Sequence, residues 1–260
     1  MMNALLKRWI VGSPFEPLAR KVHAALRPGH GPSKLSRDYD AQTLEVMKRV
    51  LQQDSNAVDV GCHQGAILRH ILRVAPGGTH FAFEPLPTMY QELVRAFGGR
   101  PNVRLYDIAL SDITGSATFQ HVVSNPAFSG LHKRQYDRPE EQVTQIMVHT
   151  DLMDRVIPLD TPIHFIKVDV EGAELQVFRG AIETMRRHRP TVVFEHGLGG
   201  ADYFGTAPEQ VYDVLVEQCQ LRLYLMSDWL ADAVAPPLSR EVFREQFLTH
   251  KNYYFMARPG

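Results

Sequence analysis

The chain has 260 residues, enough for one large domain that buries most of its apolar surface without staples. Hydrophobic residues at 44% and charged residues at 22% exclude a disordered or collagen-like chain, and 28 Lys and Arg against 29 Asp and Glu argue against broad binding to nucleic acid or acidic lipid. Two cysteines, Cys62 and Cys219, cannot build a disulfide framework or a four-cysteine zinc site, so a reducing, cytoplasmic setting is expected.

The first eleven residues, MMNALLKRWIV, are too short and too interrupted by Lys7 and Arg8 for a signal peptide or a spanning helix. No later run is long and apolar enough to span a membrane either. Residues 1–40, rich in Pro, Gly and Ser from Gly12 on, read as an irregular leader in which Trp9 and Ile10 offer an interface for a homo-oligomer. Asp40 is placed to cap a helix over Ala41–Gln53, with Leu44, Met47, Val50 and Leu51 on one stripe. The period then changes. Strands are expected at Ala57–Val60, His80–Phe83 and Val103–Tyr106, with helices at Ala66–Val74 and Thr88–Phe97 between them.

The rhythm breaks between Ser111 and Thr150. Ala117–Val123 and Val143–Thr150 alternate like antiparallel strands around the polar stretch His132–Gln142. Beyond it the rhythm returns, with strands at Ile163–Val170, Thr191–His196, Leu221–Met226 and Asn252–Met256. Helices are expected at Ala173–Arg186, Pro208–Gln218 and Arg240–Phe247. Strand and helix in alternation with short connections imply right-handed βαβ units. Residues 41–260 therefore read as one α/β domain with a β-hairpin insertion at about 115–150.

The first strand–turn–helix carries the chemistry. Asp59-Val60-Gly61-Cys62-His63-Gln64-Gly65 ends a strand and opens a helix, at the sheet edge where open α/β folds bind ligands. Gly61 allows a close backbone approach, and Gly65 allows the helix to pack tightly. The third glycine of a pyrophosphate-cradling turn is absent, because Ile67 and Leu68 follow. Asp59 suits a cationic ligand, and Glu84, ending the second strand, can accept hydrogen bonds from both ribose hydroxyls or cap the helix that follows. An adenosine without a demanded phosphate and with a positive charge describes S-adenosylmethionine.

Four segments, Val58-Asp59-Val60-Gly61, Phe83-Glu84-Pro85, Ala109-Leu110-Ser111-Asp112-Ile113-Thr114-Gly115 and Ile166-Lys167-Val168-Asp169-Val170-Glu171-Gly172-Ala173-Glu174, resemble the FkbM family of S-adenosylmethionine-dependent methyltransferases over about residues 55–200. The resemblance implies the class I methyltransferase (Rossmann-like) fold, a seven-stranded, mostly parallel sheet with an antiparallel last strand. It implies O-methylation of a sugar, glycan or polyketide-like acceptor. By position, Asp59, Gly61 and Gly65 would line the methionine part of the cofactor, Glu84 would hold the ribose, and Asp107 to Ala109 would edge the adenine.

Methyl transfer to a hydroxyl needs alignment plus a base or a metal that acidifies the hydroxyl. Asp169 ends the central strand, and Glu195 and His196 end its neighbour, so two readings stand. Asp169 or His196 acts as general base, or Asp169 and Glu195 hold a magnesium-like ion, for which carboxylates suit better than His196. Lys167 shares a strand face with Asp169 and is expected to pair with a nearby acid. Asn125-Pro126-Ala127-Phe128 resembles an amine-gripping box but lies too early and lacks a second proline, so a loop near the acceptor pocket is expected. Two other classes remain open: a binding protein that kept the fold without turnover, and a nicotinamide-dependent oxidoreductase, whose glycine loop and Tyr-x-x-x-Lys pair are missing.

Overall fold

Short apolar strands flanked by helices can satisfy their backbones only by pairing with one another and covering both faces. A computed structural model of the protein, describing residues 34–136 and 140–260, shows that arrangement. The expectations for residues 1–33, including the Trp9 and Ile10 interface, lie outside the described residues. Strands β1 (Ala57–Val60), β2 (His80–Phe83) and β3 (Val103–Tyr106) run parallel with β7 (Phe165–Val168) and β8 (Thr191–Glu195). Strand β10 (Tyr254–Arg258) lies antiparallel between β8 and β9 (Arg222–Tyr224). The sheet order is β3-β2-β1-β7-β8-β10-β9, seven strands with the last one reversed, as expected.

Residue alternation divides the sheet into two faces. Val58, Val60, Ile166, Val168, Val192 and Phe194 point to one core, shared with helices α5 (Glu174–Arg179) and α6 (Ile182–His188). Ala57, Phe165, Val193 and Met256 point to the other, shared with α1 (Lys34–Val50) through Tyr39, Val46 and Met47. Helix α1 starts seven residues before the expected first residue Ala41, so Asp40 lies inside it rather than capping it. The stripe extends N-terminally because Tyr39 is buried, with its hydroxyl donating to Asn252 Oδ1 at 2.8 Å.

The insertion is a second sheet of three strands. β5 (Gly115–Val122) pairs antiparallel with β6 (Val143–Asp151), and β4 (Ile108–Leu110), not expected, pairs parallel with β6. The helix expected over Ala173–Arg186 is broken at Gly180-Ala181. Asp154, in the one-turn helix α4 (Met153–Val156), accepts the Glu183 and Thr184 N–H groups at 2.9 and 2.8 Å and so starts a new helix there. The helix expected over Pro208–Gln218 begins as α7 (Pro208–Tyr212) and widens into a π-helical turn. A helix α8 (Met226–Ala231) occupies the end of the strand expected at Leu221–Met226, since Met226 and Trp229 fill the space against α1. Helix α9 (Arg240–Leu248) precedes β10, which lies two residues later than expected.

Candidate active site

A cavity of about 900 Å³ opens at the carboxyl ends of β1, β2 and β7. Its floor is the glycine turn. Gly61 has φ +75°, and a Cβ there would lie 1.9 Å from the Asp169 carbonyl oxygen, so only glycine lets the β1 and β7 ends approach. Gly65, also at positive φ, does not line the cavity. It lets α2 (Ala66–Val74) start against the Phe97 ring of α3 (Pro87–Phe97), which a Cβ would meet at 2.6 Å.

Asp59 is 1% exposed, lines the cavity, and neither of its carboxylate oxygens has a hydrogen-bond partner in good geometry among the described residues. Burial raises its pKa, and the Lys167 ammonium facing it across the β1–β7 register opposes that shift. Lys167 offsets part of the cost of that buried carboxylate, and a further cationic or donating group would offset more. Glu84 spans the gap between the strands: its Oε2 accepts the His63 N–H at 2.8 Å and its Oε1 the Leu86 N–H at 2.9 Å. Burial pushes its pKa up to about 7 despite those two bonds. The two expected roles of Glu84 do not exclude each other, since its side chain bonds the entry to α3 and also lines the cavity. Ile108, Ala109 and Leu110 of β4 form an apolar wall, whereas Asp107 is exposed and not part of it. Asp107 stands between β3 and β4, in neither strand, and turns to solvent.

A polar cluster sits beside Asp59. Lys167 Nζ bonds Asp169 Oδ2 at 2.8 Å, and the Tyr254 hydroxyl donates to the same oxygen at 2.6 Å. Burial alone would raise the Asp169 pKa; Lys167, Tyr254 and a hydrogen bond from Glu195 together hold it below the ordinary value. Glu195 shows the converse. Burial and the neighbouring Asp169 charge push it well above the ordinary carboxylate value. Cys62 is buried, and its thiol is pushed up by that burial, so it packs rather than reacts.

His196 does not join this cluster. It follows Phe194 on the opposite sheet face, is fully buried, and places Nδ1 3.4 Å from Glu174 Oε2. Its ring stacks on Phe247 at 4.8 Å and is not part of the cavity. The expectation that Glu195 and His196 converge with Asp169 fails on strand alternation: adjacent residues point to opposite faces, so only one can.

Asp169, Glu171 and Glu195 bring carboxylate oxygens within 4.8 Å of one another, the distance scale of a metal site. The donor set does not suit magnesium. Asp169 is occupied by Lys167 and Tyr254, Glu171 pairs with Arg134, and burial beside Asp169 disfavours the ionised form of Glu195. A hard ion needs ionised, uncommitted oxygens.

Sequence reasoning passed over three groups. Arg134 reaches from the insertion to pair with Glu171 and lies 4.8 Å over the Phe128 ring. Pro126, Ala127 and Ser129 of the same region line the cavity, as expected for a loop near the acceptor. His63 lines the cavity from the glycine turn itself with a buried, unpartnered Nε2; its position inside the motif was the available signal. Tyr254 could be found only once β10 was known to pair with β8, opposite Glu195.

The Methyltransferase FkbM domain matches residues 59–223. The chain is 25% identical over 163 residues to the 2-O-methyltransferase NoeI of Sinorhizobium fredii (strain NBRC 101917 / NGR234), covering 56% of this chain and 65% of that protein, less than two thirds of its length. Among solved structures it is similar to the methyltransferase FkbM from Methylobacillus flagellatus KT, at 17% identity and TM-score 0.47 over 67% of this chain and 40% of that one. It is also similar to a precorrin-6y C5,15-methyltransferase from Geobacter metallireducens GS-15, at 15% identity and TM-score 0.41 over 75% and 78% of the two chains.

Proposed function

The chain belongs to the FkbM methyltransferase family, and from that premise we propose that it transfers the methyl group of S-adenosylmethionine to a hydroxyl of a sugar, glycan or polyketide-like acceptor. The observation that carries this reading is the pair of buried acids in the cavity: Asp59, whose carboxylate oxygens find no hydrogen-bond partner among the described residues, and Glu84, whose carboxylate already spans two backbone amides. The cofactor, when bound, supplies an electrophilic methyl carbon on a positive sulfur.

The residues then divide the work. Asp59 meets the positive charge of the cofactor and regains the partner that burial denied it. Glu84 accepts the ribose hydroxyls, and the β4 wall around Ala109 receives the adenine. Gly61 lets the β1 and β7 ends close up beneath the cavity, and Gly65 holds α2 behind it. Asp169 orients the acceptor hydroxyl and takes its proton as the oxygen–carbon bond forms and the carbon–sulfur bond breaks. Its lowered pKa makes it a weak base, which suffices because the hydroxyl proton becomes acidic only late in the transfer. The name of the Sinorhizobium relative, a 2-O-methyltransferase, supports a hydroxyl acceptor. We read the protein as cytoplasmic, which agrees with two buried free cysteines, and no helix among the described residues is long and apolar enough to cross a membrane.

The test is transfer of labelled methyl from S-adenosylmethionine to a panel of sugars, oligosaccharides and polyketide alcohols, by wild type and Asp169→Ala. Label entering an acceptor hydroxyl with wild type, and lost in Asp169→Ala while S-adenosylhomocysteine still binds, is the expected result. Undiminished transfer by Asp169→Ala would remove Asp169 from the chemistry.

A further inference from the structure

Helix α1 ends before the family-matched segment begins at Asp59, yet it forms one wall of the cavity through Asp40 and Leu44. Strand alternation explains why. Asp59 and Lys167 point to the same sheet face as Ala57 and Phe165, and that is the face α1 covers. The helix is fixed there by aromatic packing: the Tyr39 ring stacks on Tyr254 with centroids 5.1 Å apart, and the Tyr254 hydroxyl is bonded to Asp169. Asp40, the next residue along, is thereby held within electrostatic reach of Lys167 and Asp169.

The carboxylate of Asp40 makes no hydrogen bond or ion pair with another described residue. Independently, Asp59 is more than nine-tenths buried, lines the same cavity and is unpartnered. Three carboxylates, Asp40, Asp59 and Asp169, thus surround one cation, Lys167, leaving an excess of negative charge at this end. A ligand that presents an ammonium there relieves it.

We propose that α1 completes the cofactor site, with Asp40 receiving the α-amino group of the methionyl end and the Tyr39–Tyr254 stack holding the helix against Asp169. This rests on the reading of the cavity as an S-adenosylmethionine site. It goes further in assigning a cofactor contact to a helix outside the family domain. Asp40 is itself exposed, so it meets the ligand at the solvent-facing rim of the cavity.

The test uses two ligands that differ at the amino-acid end. S-adenosylhomocysteine carries the ammonium; methylthioadenosine has the same nucleoside and thioether without it. Both are titrated calorimetrically into wild type, Asp40→Asn and Asp40→Glu, with melting curves to confirm folding. Asp40→Asn is expected to weaken S-adenosylhomocysteine roughly tenfold, the scale of one charged hydrogen bond, and to leave methylthioadenosine unchanged. Asp40→Glu should recover most of the loss. Normal wild-type binding with no loss in Asp40→Asn, or an equal loss for both ligands, would overturn the assignment. Failure of folded wild type to bind either ligand would instead defeat the cofactor reading on which it rests.

Discussion

Cofactor binding should release a proton from Glu84, whose pKa burial pushes up to about 7; Asp59, also raised by burial, is controlled with Asp59→Asn. In the free protein it is roughly 0.9 protonated at pH 6, 0.5 at pH 7 and 0.1 at pH 8. A ribose whose two hydroxyls donate to the carboxylate favours the ionised form and draws the pKa back toward 4.5. Binding then expels about those fractions of a proton, and affinity is roughly tenfold weaker at pH 6 than at pH 8. The sign for the empty protein is opposite. A carboxyl raised from 4.5 to about 7 contributes stability that is complete below 4.5 and lost as pH rises through 7, amounting to about 3 kcal/mol. The assay is calorimetry with S-adenosylhomocysteine in buffers of different ionisation enthalpy at each pH. His63 is another cavity group to control; burial lowers its pKa, so it is mostly neutral by pH 7. Release should vanish in Glu84→Gln. Proton release that persists in that variant, or none in wild type at pH 6, would refute the assignment of Glu84 to the ribose.

Asp169→Asn should lower kcat by about 10²–10⁴ with little change in S-adenosylhomocysteine affinity, measured by steady-state assay beside calorimetry. His196→Ala leaves Glu174 Oε2 without its partner, while Oε1 keeps the Gly172 N–H, and should cost about 1–3 kcal/mol by denaturant titration, with the folded fraction keeping wild-type turnover. Gly61→Ala places a Cβ 1.9 Å from the Asp169 carbonyl oxygen at a positive φ, so a lowered melting temperature with loss of cofactor binding is expected. Arg134→Ala should raise the KM for acceptor more than the Kd for S-adenosylhomocysteine, since Arg134 reaches Glu171 from the insertion.

The seven strands were legible because each is a short apolar run bounded by turn residues, with Gly61 and Glu84 directly following β1 and β2, whereas the reversed last strand followed only from the family resemblance. What escaped depended on contacts distant in sequence. The Gly180 break arises from Asp154, some thirty residues away along the chain. Strand β4 has only three residues, and its one neighbour is β6. Among site residues, Asp59, Gly61, Glu84, Ala109 and Asp169 all line the cavity, since each stands at a strand end in a motif. Asp107 and His196 do not line it. Asp107 stands exposed just before β4, and His196 was placed by adjacency to Glu195, which strand alternation sends to the opposite face. Asp40 and Tyr254 enter the site from opposite ends of the chain, brought together by the Tyr39 stack, and nothing local to either residue marks that meeting.

The central claim is that the unpartnered Asp59 carboxylate and Glu84 form a site for the adenosyl and cationic parts of S-adenosylmethionine. Calorimetric titration of wild type and Asp59→Asn with S-adenosylmethionine and S-adenosylhomocysteine tests it most directly. Binding of both ligands by wild type, and a marked weakening of both in a folded Asp59→Asn, is the predicted result. A folded wild-type protein that binds neither ligand would contradict it.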